Sequence, residues 1–204
     1  MLAIIDYGVG NLFSVEKAFH YLGADAVITS DAENIKRAEK IVLPGVGAFG
    51  DCMKNLEATG LIPTMKEELA NGKKLLGICV GLQILFDGSE ESPGAKGLGL
   101  IHGMVRRINA PKLKVPHMGW NSLKIKEPRQ SLDLFAGLGD TPFVYFVHSY
   151  HAVPDDKSVI TSTTEYGETL TASVALGNIQ ATQFHPEKSG DVGLSIIKNF
   201  VEAA

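Results

Sequence analysis

Only two cysteines, Cys52 and Cys79, occur in 204 residues. Two are too few for a disulfide framework, and a reducing cytoplasm is the simplest setting. No apolar run has the length of a membrane span, and Met1 leads straight into a strand-like segment instead of a signal peptide, so no membrane partner is expected. Positive charge is not in excess either. The formal net charge is -4 at pH 7, which removes the electrostatic reason to expect nucleic acid or an anionic surface. No group of His, Cys, Asp and Glu has metal-ligand spacing, so neither metal nor cofactor is expected. What remains is an ordinary globular mixture, 45% hydrophobic and 21% charged. Its length suits one domain over residues 1–204 with a substantial core.

The first half alternates short apolar runs with amphipathic stretches. LAIIDYG, DAVIT, KIVLPG and KKLLGIC read as strands. NLFSVEKAFHYLG has helical spacing, with Asn11 as its N-cap and Gly23 as its stop, and further helices are expected around 34–39 and 61–71. The second half reads as strands and hairpins: GLGLIHGMVRRI, HMGWNSLKIK, FVYFVHSYHAV, SVITSTTEYG and LTASVALGNIQATQFHPE. An amphipathic helix, VGLSIIKNFVEA, follows, and DGSEESPGAK (87–96) reads as a solvated loop. The expected fold is α/β, one mixed and mainly parallel sheet flanked by helices, with antiparallel additions in the second half. A site is expected in the loops at the carboxyl ends of the parallel strands.

The segment KLLGICVGLQILF (74–86) begins as a buried strand and continues as a helix, with Cys79 at the joint. Gly77 and Gly81 flank it and carry no Cβ to clash with the sheet or the new helix. The opening of a helix supplies partial positive charge and free N–H groups, which favour a thiolate and can hold an oxyanion. This is the pattern of a nucleophile elbow with cysteine in place of serine. The plain alternative is a packed cysteine in a glycine-containing turn.

A nucleophilic thiol needs a base, and QFHPEKS (183–189) offers one. Pro186 biases His185 towards extended backbone, in which His185 and Glu187 point the same way. The carboxylate then holds the imidazole in one tautomer while the other nitrogen takes the thiol proton. His20 and His102 fall where a structural or exposed role is expected, and His117, His148 and His151 have no carboxylate two residues away. Cys52, in GDCMKNLEATG, lacks a strand-to-helix context and is expected to be packed and unreactive. GVGAFG (45–50) matches the G-x-G-x-x-G of dinucleotide-binding loops, but it follows the third strand, and no acidic residue closes a strand about twenty positions later. Gly45 and Gly47 instead leave the peptides around Val46 free to reorient, so that an N–H can approach a developing charge.

These residues together resemble the class I, or triad, glutamine amidotransferases: Gly77-Ile78-Cys79-Val80-Gly81-Leu82-Gln83 with His185-Pro186-Glu187. Pro44-Gly45-Val46-Gly47, His117-Met118-Gly119-Trp120-Asn121 and Tyr145-Phe146-Val147-His148-Ser149-Tyr150 are similar to the glutaminase subunits of imidazole glycerol phosphate synthases. The resemblance runs from IIDYGVGNL to the last helix, with no departure at a triad position.

The resemblance implies a flavodoxin-like fold and a Cys79–His185–Glu187 triad that hydrolyses glutamine through a thioester. It also implies an oxyanion hole from the backbone of Val46 and Val80, and a glutamine pocket lined by Gly47, Gln83, His148, Ser149 and Tyr150. Ammonia would pass to a (β/α)8-barrel cyclase subunit in a heterodimer. There it would help form imidazole glycerol phosphate and aminoimidazole carboxamide ribotide in histidine biosynthesis. Asn11, Trp120, Asn121 and Lys188 are the candidates for the partner-facing rim, a core position being the alternative for Trp120. The isolated chain is expected to be a poor glutaminase, its Val46 N–H turned away at rest. Three rival readings keep part of this picture: a glutaminase serving another synthase, a non-catalytic scaffold, and a cysteine hydrolase for other amides.

Overall fold

Runs such as LAII and KLLGIC are apolar almost throughout, the pattern of strands covered on both faces. They form the middle of a central sheet. The computed structural model describes residues 1–126, 134–139 and 141–203. The first half comprises β1 (Leu2–Ile5), α1 (Leu12–Tyr21), β2 (Ala26–Thr29), α2 (Ala32–Arg37), β3 (Lys40–Gly45), α3 (Phe49–Ala58), α4 (Ile62–Ala70), β4 (Lys74–Cys79) and α5 (Val80–Gln83). The second half comprises β5 (Gly88–Ser89), β6 (Gly103–Arg107), β7 (His117–Ser122), β8 (Lys124–Ile125), β9 (Phe143–His148) and β10 (Tyr150–Pro154). It continues through β11 (Ile160–Glu165), β12 (Thr169–Leu176), β13 (Ile179–Thr182) and α6 (Gly190–Glu202).

The central sheet has the order β2-β1-β3-β4-β13-β12-β11-β8. Its first five strands are parallel, and the remaining three add antiparallel pairs. This is the mixed, mainly parallel sheet that the alternation of elements predicts. A short sheet, β10-β6-β5, and a two-stranded ribbon, β7-β9, complete it. Helix α1 turns Val15, Ala18 and Phe19 into the core, and α6 turns Ile196, Ile197 and Phe200 into it. Fully burying such a side chain stabilises the fold by roughly 1.5–3 kcal/mol.

Asn11 does stand at the N-cap position of α1, but its side chain makes no capping bond. Gly23 ends that helix as expected, with φ of +76° and its N–H donating to the His20 carbonyl. Two expectations change. Helix α3 occupies the GDCMKNLEATG stretch, so Cys52 sits in the first turns of a helix that follows a strand; Phe49, Cys52, Met53 and Leu56 form its buried stripe. The glycines before it hid that start. The stretch 87–96 is not simply a solvated loop: it contains β5, and Glu91 accepts from the Phe49 N–H at 2.8 Å, capping α3.

Parallel pairing brings the carboxyl ends of β3, β4 and β13 side by side, with Gly45 opposite Cys79 and Thr182 opposite Ile78. Cys79 and the segments that follow β3 and β13 therefore meet at that edge.

Candidate active site

Cys79 ends β4 with φ of +56° and ψ of -111°, and it is the one non-glycine residue with positive φ among the described residues. A side chain held there stores about 1–3 kcal/mol of strain, which the packing around it must sustain. Gly81 permits the corner: a Cβ at that position would lie 1.8 Å from the Leu43 carbonyl oxygen. A Cβ on Gly77 would meet the Gly81 oxygen at 2.9 Å. Helix α5 opens at Val80, and the N–H groups of its first turn have no acceptor within the helix.

His185 reaches this corner because β13 lies next to β4. It is the last extended residue before a 3-10 turn, Pro186–Lys188. His185 Nδ1 donates to Glu187 Oε1 at 2.8 Å, and both side chains are almost wholly buried. The shared orientation expected of an extended segment is therefore achieved by a turn, with Pro186 at its first position. The Nε2 atom of His185 makes no hydrogen bond. Burial opposes a charge on the ring, but the neighbouring Cys79 side chain and the Glu187 carboxylate outweigh it and raise the His185 pKa to about 10.

A cavity of about 320 Å³ joins these groups. Cys79 and His185 line it together with Val46, Gly47, Val80, Gln83, His148, Ser149 and Tyr150. Every residue named for the oxyanion hole and the glutamine pocket thus borders one space. Glu91, Pro116 and Val147 also line it and were not anticipated. Gln183 was missed too: its Nε2 donates to Cys79 Sγ at 3.8 Å, and its place two residues before His185 in a strand-like run was the available signal. Gln83 directs its amide nitrogen to the Tyr150 carbonyl and to Gln183 Oε1, each at 3.0 Å. The Val46 carbonyl accepts from the Cys52 thiol at 3.4 Å. Cys52 is fully buried, and burial pushes its thiol up to about 11.

The rim candidates separate. Trp120 is 56% exposed, with its ring edge-on to Tyr145, so it is not a core aromatic. Met118, 62% exposed, lies on the same face of the ribbon, and exposed Phe143 extends it. Lys188 is exposed directly after Glu187, and Asn11 is partly exposed at the head of α1. Asn121, one residue along from Trp120, points to the opposite face, where it bonds to His117 and to the Glu165 carbonyl. Among the described residues, no three His, Cys, Asp or Glu side chains gather as a metal ion would need.

The model of the family "Glutamine amidotransferase class-I" matches residues 3–204. The chain belongs to that family. Within the class-I amidotransferases, it is 54% identical to the imidazole glycerol phosphate synthase subunit HisH of Methanothermobacter thermautotrophicus, over 99% of this chain and 98% of that protein. It is 51% identical to the subunit of the same name from Geobacter sulfurreducens, over 98% of each. Among solved structures, PurLQS from Thermotoga maritima superposes with a TM-score of 0.75 at 20% identity, over 98% of this chain and 96% of that one. The glutaminase domain of Trypanosoma brucei CTPS, with bound acivicin, gives 0.66 at 16%, over 100% and 94%. At such low identity these structures show the shared amidotransferase fold.

Proposed function

We propose that this amidotransferase chain hydrolyses glutamine at Cys79, with His185 and Glu187, as the glutaminase subunit of an imidazole glycerol phosphate synthase. The reading rests above all on one convergence: a thiol on a strained strand-to-helix corner and an imidazole braced by a carboxylate border the same cavity. Identities of 54% and 51% to HisH relatives over nearly the whole of each chain support the acceptor.

The Cys79 thiolate attacks the side-chain carbonyl carbon of glutamine, forming a C–S bond and a tetrahedral oxyanion. The N–H groups of Val46 and Val80 hold that oxyanion, each such donor being worth about 3 kcal/mol. As the C–N bond breaks, the imidazolium of His185 gives its proton to the departing nitrogen and ammonia leaves. Water then attacks the glutamyl thioester and passes a proton to His185. The C–S bond breaks, the thiolate returns, and the new carboxyl group releases its proton to solvent. Glu187 keeps the imidazole oriented throughout. Gly47, Gln83 and the segment His148–Tyr150 form the glutamine pocket.

Free ammonia in neutral water becomes ammonium, which is a poor nucleophile. The product therefore passes directly to the (β/α)8-barrel cyclase subunit, which uses it to form imidazole glycerol phosphate and aminoimidazole carboxamide ribotide. Trp120, with Met118 beside it, and Lys188 and Asn11 are assigned to the partner-facing rim. The proposed unit is one amidotransferase domain over residues 1–204, working in the cytoplasm, where its two free cysteines stay reduced. No helix among the described residues is long and apolar enough to cross a membrane. Glutamate release tests the reading, measured for the wild-type chain and Cys79→Ala, each with and without cyclase and its ribotide. Release that depends on Cys79 and rises with the loaded cyclase is expected; release unaffected by Cys79→Ala overturns it.

A further inference from the structure

Two buried histidines outside the triad face each other across the ribbon, His117 on β7 paired with His148 on β9. His117 Nδ1 lies 3.0 Å from His148 Nε2. The direction of this bond is fixed from both ends. At one end, Asn121 Oδ1 accepts from the Ser122 N–H at 2.8 Å, while its Nδ2 donates to the Glu165 carbonyl at 2.9 Å. The amide orientation is thereby set, and the same Nδ2 faces His117 Nε2 at 3.2 Å as a donor. A neutral imidazole that accepts at Nε2 carries its proton on Nδ1, so His117 donates to His148. At the other end, His148 Nδ1 lies 2.8 Å from the Tyr150 carbonyl, which can only accept. That again leaves His148 Nε2 as the acceptor.

Burial holds both rings below the ordinary histidine range, His117 at about 4 and His148 at about 3, which keeps them in the neutral form these bonds require. The chain of bonds continues. The Tyr150 carbonyl also accepts from Gln83 Nε2, Gln83 donates again to Gln183 Oε1, and Gln183 Nε2 faces Cys79 Sγ. His117 itself is stacked between Phe146 and Tyr166, with ring centroids at 4.7 and 4.1 Å.

We propose that His117 and His148 are positioning residues for glutamine hydrolysis, a directional hydrogen-bond relay that fixes the Tyr150 carbonyl and, through it, Gln83 and Gln183 beside Cys79. The relay rests on the glutaminase reading of Cys79 and extends it. It also fastens the pocket wall to β7, the strand whose outer face carries Trp120.

The test separates bonding from packing at His117, in the complete complex of this chain with cyclase and its ribotide. His117→Phe keeps a ring in the stack and removes both hydrogen bonds. His117→Asn gives up the ring and retains a donor near the Nδ1 position. The relay predicts that His117→Phe raises the glutamine KM about tenfold, the scale of losing a buried hydrogen-bond partner. kcat should change much less, and His117→Asn should recover most of the loss. A wild-type KM for His117→Phe, or His117→Asn no better than His117→Phe, overturns the relay. Should the variants fail to fold, 15N spectra of the wild-type histidines at neutral pH decide the matter. Protonated Nδ1 and bare Nε2 are expected on both rings, and an Nε2–H tautomer on either overturns the proposal. A wild-type complex without glutaminase activity would overturn the proposed function as well, which these variant results alone do not touch.

Discussion

Gly81 packs against the backbone of Leu43 so closely that a Cβ on it would come within 1.8 Å of the Leu43 carbonyl oxygen. The start of α5 is thereby pressed onto the exit of β3, and Cys79 is forced into its left-handed corner. A backbone oxygen in the middle of a sheet cannot swing aside as a side chain could. Gly81→Ala is therefore expected to cost about 3 kcal/mol or more, the upper range for overpacking. In a chain of this length that corresponds to a fall in Tm of roughly 6–12 °C. Gly139→Ala, where a Cβ meets nothing within 4 Å, is the control and should melt with the wild type.

Glu187 and Cys79 together keep a proton on His185 against the pull of burial, and that proton is needed when ammonia departs. Because the folded pKa lies above the ordinary value of 6.5, at about 10, the stabilising charge is fully present below pH 6.5 and is lost as pH rises through 10. The alkaline limb of kcat/KM should fall in that upper region. Glu187→Gln removes one of the two groups that favour the charged ring, so the limb should move to lower pH. The rate should drop about a hundredfold or more as the imidazole loses its orientation. A pH–rate profile of both proteins reads the shift, and an unmoved limb contradicts this account of His185.

Burial holds the Cys52 thiol protonated at neutral pH, whereas Cys79 borders an open cavity. Iodoacetamide should modify the native chain once, at Cys79, and twice after unfolding. Peptide mass spectrometry locates the adducts. Modification of Cys52 in the native chain at a rate comparable to Cys79 would contradict its burial.

Trp120 presents a large aromatic surface to solvent on the outer face of the ribbon, opposite the face on which Asn121 bonds to His117 and the Glu165 carbonyl. An exposed tryptophan at the centre of an interface typically contributes about 2 kcal/mol or more to binding. Trp120→Ala should weaken the complex with cyclase roughly thirtyfold, with Tm little changed. Calorimetric titration with the cyclase subunit checks the first, and a melting curve the second. Undiminished affinity would remove Trp120 from the rim.

Where local chemistry imposes a residue type, the sequence was readable. A corner with φ of +56° needs glycines around it, and GICVG displays them; a base followed by its carboxylate after a proline is plain in HPE. The alternation of apolar runs with amphipathic stretches announced the parallel sheet. Helix α3 was harder, because the glycines from 45 to 50 look like a loop although Phe49, Cys52, Met53 and Leu56 fall at helical spacing. Gln183, just past the end of β13, is marked in the sequence only by its spacing from His185; its meaning comes from the sulfur it faces.

Local sequence, then, prescribed which residues carry reactive groups and which corners the backbone must turn, since strain, capping and proline act within a few residues. Folding decided who meets whom. The insertion of β13 beside β4 brings the imidazole to the thiol, the register of β7 on β9 sets His117 against His148, and the pleat sends Trp120 outward and Asn121 inward. Such pairings depend on strands far apart in the chain and on which face the core covers, and a shift of one residue in register would reverse every one of those faces.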